Sequence, residues 1–345
     1  LSNSNQVVPI GAGANPFTPG EPIITADPAD PTIPFNTVCP DSATLAGGTV
    51  NGLPVTGPAA VNLNLACGGN PDPFRTNFPG FGNVNRIQDS ANSVYHALQF
   101  SAKRTVGDLN LSLAYTYAHS IDDSSDRFDT AFVNAYDIAA NRASSNFDQR
   151  HNLAVSYVWS MPFFKGSSGL THAVLGGWQS SGIVIAQTGT PFTVTNGTTF
   201  GDNAGVGNGT GTGSRPDLVG DPHASLSTTE FPDTRGPLLF NPAAFALPTG
   251  LTFGNVGRNT LYLPGRWNVD IGTFKRFAIG EHAGFEFRWE IFNLFNHTQF
   301  GNGTDSVSHD MDTNDPGSNA DSSSFLHATS AHAPRRMQFG LRFFF

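Results

Sequence analysis

Charge is scarce in this chain of 345 residues: 13% are Asp, Glu, Lys or Arg, against roughly 25% in ordinary soluble domains. The charge present sums to −9, and no Lys/Arg run or basic stripe with interleaved aromatics occurs, which argues against a nucleic-acid partner. Long apolar runs are missing too. No stretch of about 18 uninterrupted apolar residues exists, so a transmembrane helix is not expected. A β-barrel stays open, because spanning strands are half polar, and the mean hydropathy of −0.20 fits it as well as a soluble β protein. No basic-then-apolar leader follows Leu1, so a mature form or a fragment is expected.

Cysteine is limited to Cys39 and Cys67, with no Cys-x-x-Cys spacing to suggest zinc or redox work. A disulfide stapling a long loop is the favoured reading, durable in an oxidising, extracytoplasmic setting; two unrelated thiols are the alternative. Enzyme signatures are thin. There is no His-Glu-x-x-His, Walker A or Gly-x-Ser-x-Gly, and the Gly-rich GVGNGTGTG lacks the strand-to-helix setting of a phosphate cradle. His96, His119, His151 and His297 are scattered and read as structural or rim residues. The expectation is of no enzyme and no cofactor.

What the chain has in abundance is Gly (38), Phe (29) and Pro (24). From Leu1 to about residue 92 no period is sustained, and Pro and Gly recur every few residues, as in ITADPADPTIPF. Residues 1–92 therefore read as an irregular extracellular loop region, and residues 93–345 as the structured part.

From Ser93 onward, apolar residues alternate with polar ones at period two. The expected strands cover 93–104, 109–118, 151–160, 178 to about 189, 266–277, 283–293 and the final 335–345. In the second, Leu109, Leu111, Leu113, Tyr115 and Tyr117 oppose Asn110, Ser112, Ala114 and Thr116. In the sixth, Phe285, Phe287, Trp289 and Ile291 oppose Glu286, Arg288 and Glu290. The fourth has no clear sidedness, since Ile183 and Ile185 oppose Val184 and Ala186. Several segments match the roughly 9 to 11 residues of a tilted strand crossing a bilayer.

The connections alternate between short ones, such as TVGD and AIGEH, and long ones, such as Ser120 to Arg150. Short periplasmic turns and long extracellular loops are the pattern of an outer-membrane barrel. The fold class expected is all-β: an antiparallel up-and-down transmembrane β-barrel segment, about seven C-terminal strands of a larger barrel, with long extracellular loops. Strand parity brings Phe345 to the periplasmic side.

Arg288 facing lipid near the midplane would cost about 2–4 kcal/mol, so Glu286, Arg288, Glu290 and Arg342 are lumen-facing candidates. Pairing with neighbouring charges is their simplest role, and contact with a plug or substrate the other. Trp159, Trp178, Trp267 and Trp289 lie mostly at strand ends, as an interfacial girdle requires; ordinary core is the competing reading. The segment HDMDTNDPGSNAD, 309–321, imitates a calcium loop through Asp310, Asp312, Asn314 and Asp321. It has Asp315 where Gly is needed and Asp in place of the final Glu, so it reads as a solvated acidic loop. Asp122, Asp123, Asp126 and Asp129 are read the same way.

The ordered series NSVYHALQFSAKR, LAYTYAHSIDDSS, NFDQRHNLAVSYVWSMPF, GGWQSSGIVIAQTGTPFTV, FGNVGRN, NVDIGTFKRF, FRWEIFNLFNHTQFGN and terminal QFGLRFFF resembles the C-terminal barrel of TonB-dependent receptor-like proteins. It is most similar to the Oar-like group, which carries a carboxypeptidase-regulatory-like domain. The resemblance spans about Phe78 to Phe345. It implies a plugged 22-stranded barrel in the outer membrane of a Gram-negative bacterium, energised through TonB. It also implies that Phe339, Leu341, Phe343 and Phe345 form the signal read by the barrel-assembly machinery. Signal peptide, regulatory domain, plug, TonB-contacting segment and early strands would lie upstream.

The expected function is ligand capture by extracellular loops and energised uptake of a small molecule, glycan or peptide, with outer-membrane lipid, the TonB complex and the assembly machinery as partners. The alternative is a non-transporting adhesin or a soluble extracellular β domain.

Overall fold

The computed structural model describes residues 90–125, 138–195, 215–224, 236–246, 254–280, 283–301, 307 and 325–345, together with four two-residue strands nearer the start. Cys39, Cys67, the 309–321 segment, Asp126, Asp129 and nearly all of residues 1–92 lie outside the described residues.

Among the described residues, seven long strands form one sheet. They are β1 (Ser93–Val106), β2 (Leu109–Asp122), β3 (His151–Ser160), β4 (Trp178–Gln187), β5 (Arg266–Ile279), β6 (Ala283–Phe292) and β7 (Arg336–Phe344). Each pairs antiparallel with the next in chain order, and the short strand Ala143–Ser144 adds to the end of β2. Among the described residues β1 and β7 pair on one side only, so the sheet is an open segment and not a closed barrel.

The strands reach further than the alternation alone suggests. β1 runs on to Val106 because Val106 pairs with Leu109 across the turn Gly107–Asp108, and β2 runs to Asp122 because Ser93–His96 remain opposite it. Gly107 has φ of +54°, a conformation that a tight Gly-X hairpin turn needs and a side chain would resist.

Register sorts the side chains into two faces across the whole sheet. One row reads Arg104, Leu111, Tyr157, Gly182, Ile271, Ile291 and Met337; the next, on the opposite face, reads Thr105, Asn110, Val158, Ser181, Gly272, Glu290 and Gln338. The apolar face carries every leucine of the strands, most of their Val and Phe and all four tryptophans, while Val158, Phe274, Phe292 and Phe344 fall on the polar one. It is not covered by protein: Leu98, Phe339 and Leu341 are 65%, 68% and 71% exposed. The sidedness of β4 is now fixed, with Val184 and Ala186 on the apolar face and Ile183 and Ile185 on the polar one.

The buried hydrophobic core lies elsewhere, in the long connections. Phe192, Val194, Phe240, Phe245, Val256, Leu261, Leu263, Phe325 and Leu326 pack together, all but hidden from solvent. Short ladders hold these loops: Pro191–Phe192 pairs with Leu261–Tyr262, and Asp217–Leu218 with Phe245–Ala246. The loops therefore form a packed cap at the end of the sheet where β2 and β4 finish, whereas β1–β2 and β5–β6 turn tightly at the other end.

Gly189 admits the cap to its seat. A Cβ there would meet the Leu263 carbonyl oxygen at 1.8 Å, a distance only backbone movement can relieve. Gly189→Ala is expected to loosen the 191–192 and 261–262 ladder while leaving the seven-stranded sheet intact. Hydrogen exchange should show faster amide exchange at Leu263, whose N–H donates to the Thr190 carbonyl, with no change in the amides of β2 and β3.

Candidate functional site

The cap is joined to the sheet through a buried polar cluster at the long-loop end. Asp122, the last residue of β2, points to the polar face and is 2% exposed. Arg258 donates to its carboxylate at 2.8 Å and to its carbonyl at 3.2 Å, and the other guanidinium nitrogen donates to Ser125 Oγ at 2.8 Å and Asn146 Oδ1 at 3.1 Å. Asn259, in the left-handed region at φ +53°, donates through Nδ2 to the Ser144 carbonyl and Asn146 Oδ1, both at 2.7 Å, and exchanges hydrogen bonds with Thr193. One arginine and one asparagine thus clamp two loops onto one strand.

A second buried carboxylate, Asp148, accepts from the Ser120 N–H at 2.8 Å and from Arg150 Nε at 2.8 Å, with His119 Nδ1 at 3.2 Å. Asp123 accepts from the Asn92 N–H and from Arg142. The reading of Asp122 and Asp123 as part of a solvated acidic loop is therefore corrected. Both are buried and paired, because the loops fold back over the strand end that carries them.

On the polar face lower down, Glu286 accepts from Arg276 Nε at 2.7 Å and Arg288 Nε at 2.6 Å, and Arg342 stands directly opposite it in register. Glu290 accepts from Gln338 of the neighbouring strand. The four residues singled out by sequence are thus brought onto one face. Arg276 and Arg288 share the Glu286 carboxylate and Arg342 stands beside it, so on this stretch three guanidinium groups face two carboxylates, Glu286 and Glu290, an excess of positive charge. Phe339, Leu341 and Phe343 lie on the apolar face of β7, exposed, with Phe345 just beyond its end.

Above this patch, beneath the cap, lies a cleft of about 740 Å³ between the polar faces of β4 to β7 and the segment that precedes β7. Arg266, Asp270, Asn293, Gln299, His332 and Arg336 supply its polar lining, and Ile185 and Phe292 its apolar part. Asp270 is held by the Asn268 side chain and the Asn293 N–H at 2.8 Å each, while Arg266 spans Gln187 and His332. Polar side chains predominate in this lining, which suits a ligand rich in hydrogen-bonding groups. Among the described residues, no group of three or more His, Cys, Asp or Glu is placed to hold a metal ion.

Sequence reasoning missed Arg258, Asn259 and the cleft. The signal was present in FGNVGRN and NFDQR, the two segments whose Arg258, Asn259 and Asn146 meet. Read singly, each is only a polar loop.

A family model described as outer membrane beta barrel domain matches residues 33–338. No curated protein and no solved structure matches the chain.

Breaking a buried ion pair from one side strands a charge, at a cost of about 3–5 kcal/mol. Arg258→Ala is expected to destabilise the cap on that scale, and the paired change Asp122→Asn with Arg258→Met much less. Limited proteolysis of the folded protein in detergent checks this: the single variant should be cleaved within the loops far faster than the double one.

Proposed function

We propose that this chain, which belongs to the outer membrane beta barrel domain family, is the C-terminal barrel portion of a TonB-dependent transporter or receptor in the bacterial outer membrane. The observation that carries the proposal is the sheet's division of labour. One face is apolar and exposed to its surroundings, and the other is polar and runs from a capped cleft to an arginine-rich patch. The apolar face suits lipid. The polar face then lines a lumen, with Glu286, Arg288, Glu290 and Arg342 on its wall.

In this reading the long loops are extracellular, and the cleft beneath them takes the first hold on a small molecule, glycan or peptide. Guanidinium groups at Arg276, Arg288 and Arg342 favour anionic groups further down, on the substrate or on a plug. The resemblance to TonB-dependent receptors supplies the energy source: a plug, moved through the TonB complex, opens the path. Phe339, Leu341, Phe343 and Phe345 form the closing signal for the barrel-assembly machinery. The chain performs no chemistry of its own and needs no cofactor.

The separate core of the cap favours one other reading, a non-transporting surface protein that presents its loops as an adhesin. The region of the gene upstream of this chain separates the two. The transporter reading requires it to encode a plug and a TonB box, and requires the purified full-length protein to bind the periplasmic domain of TonB. Repeats or a soluble stalk upstream, with no TonB binding, would leave the adhesin.

Two substitutions test the faces themselves. Val155→Arg, mid-strand on the apolar face, is expected to cost about 2–4 kcal/mol of stability in a bilayer, and its neighbour Ser156→Arg close to nothing. Denaturant titration of the protein folded in lipid vesicles measures both. Deleting Phe345 should lower the amount of heat-modifiable protein in the outer membrane.

A further inference from the structure

The connection from β3 to β4, residues 161–177, lies at the tight-turn end yet is not a tight turn. It contains one helix, α1 (Gly169–Leu175), and no residue of α1 is buried. A helix of this length is marginal in water and ordinarily survives by packing an apolar face. Here the apolar side chains face outward: Leu170 is 83% exposed, Val174 52% and Leu175 47%, and Phe163 and Phe164 before the helix are 54% and 47% exposed. The segment from Met161 to Trp178 contains no Asp or Glu, and its one lysine, Lys165, is tied to Asp108 at 2.6 Å.

Its placement says what surrounds it. Phe163 packs edge-on against Trp159, and the Trp178 indole N–H donates to the Val174 carbonyl at 3.1 Å; both tryptophans belong to the apolar face of the sheet. The helix therefore continues that face and does not turn into the polar one. Lys275 adds an independent mark. It stands on the apolar face opposite Trp178, and its ammonium donates to the carbonyls of His172 and Gly176 at the C-terminal end of α1. Lys275 is buried beneath α1, and a helix C-terminus is a favourable partner for its charge. The lysine thus fixes α1 to the outer wall at the tight-turn end of the sheet, with Leu170 and Val174 facing away from the protein.

Resting on the outer-membrane location, we infer that residues 161–178 are an interfacial anchor, seated among the phospholipids of the periplasmic leaflet and clamped to the barrel wall by Lys275. Amphipathic segments of this kind bind by burying apolar side chains at the boundary of headgroups and acyl chains. The partner is a phospholipid surface, not a periplasmic protein.

Leu170→Trp and Val174→Trp, each made in the full-length protein and reconstituted in phosphatidylcholine vesicles, test this. Both positions are exposed, so the added indole displaces no packed side chain. After subtraction of the wild-type spectrum, the new emission should be quenched by lipids brominated near the top of the acyl chain, less by lipids brominated near its end, and hardly by aqueous iodide. Quenching by iodide and by neither lipid would place α1 in water and overturn the inference. Protection from all three quenchers would mean that protein covers it, and would overturn it equally. If the wild-type tryptophans themselves escape bromolipid quenching, the barrel reading fails, and this inference with it.

Discussion

Everything in this structure depends on pairing backbone groups across a sheet that leaves one face apolar and bare. In water such a face would be a liability, exposing Phe, Leu and Trp side chains on seven adjacent strands. In a bilayer it is the required arrangement, because hydrocarbon offers no hydrogen bonds and tolerates only backbones that satisfy their own. The strict two-face register follows from that requirement, since a slip by one residue would exchange Leu111 and Ser112 and send every polar side chain of β2 into lipid. It also explains why the buried hydrophobic core lies in the loops. The strands place most of their apolar residues on the outside, so the cap assembles its own core from Phe192, Phe240, Phe245, Leu261 and Phe325.

The cap and the strands meet through polar groups. At the strand end Arg258 replaces the water that Asp122 would otherwise bind, and Asn259 and Asn146 complete the joint. Such a joint is directional where a hydrophobic contact is not, so it fixes how the loops stand over the cleft formed by Arg266, Asp270 and His332. Below it, the shortage of carboxylates among Arg276, Arg288 and Arg342 gives the polar face a sign. A chain with net charge −9 thus keeps a positive patch on the wall that lines the proposed path.

How much of this could be read from the sequence follows from the range of the interactions. Period-two alternation is local, so β2, β3, β6 and β7 were legible, as was the alternation of short and long connections. β4 was not, because Ile183 and Ile185 serve the cleft side while Val184 and Ala186 serve the outer one, and both sets are apolar. Arg258 and Asp122 are 136 positions apart. Nothing in the spacing of either residue announces the other, and an acidic run such as IDDSSD carries the composition of a solvated loop. The helix α1 was hidden for a related reason: its apolar side chains face outward, so what would identify it as a membrane element is the Trp159 and Lys275 contacts, which only the fold supplies.

The central claim is that the face carrying Leu113, Val155, Phe287 and Phe339 touches acyl chains while its neighbours do not. The most direct measurement is photolabelling of the protein in native outer membranes with a carbene reagent that partitions into hydrocarbon, located residue by residue by mass spectrometry. The account predicts label on alternate residues of each strand, on Leu113, Val155, Phe287 and Phe339, and none on Ser112, Ser156 or Glu286. Label spread over both faces, or confined to the loops, would contradict it.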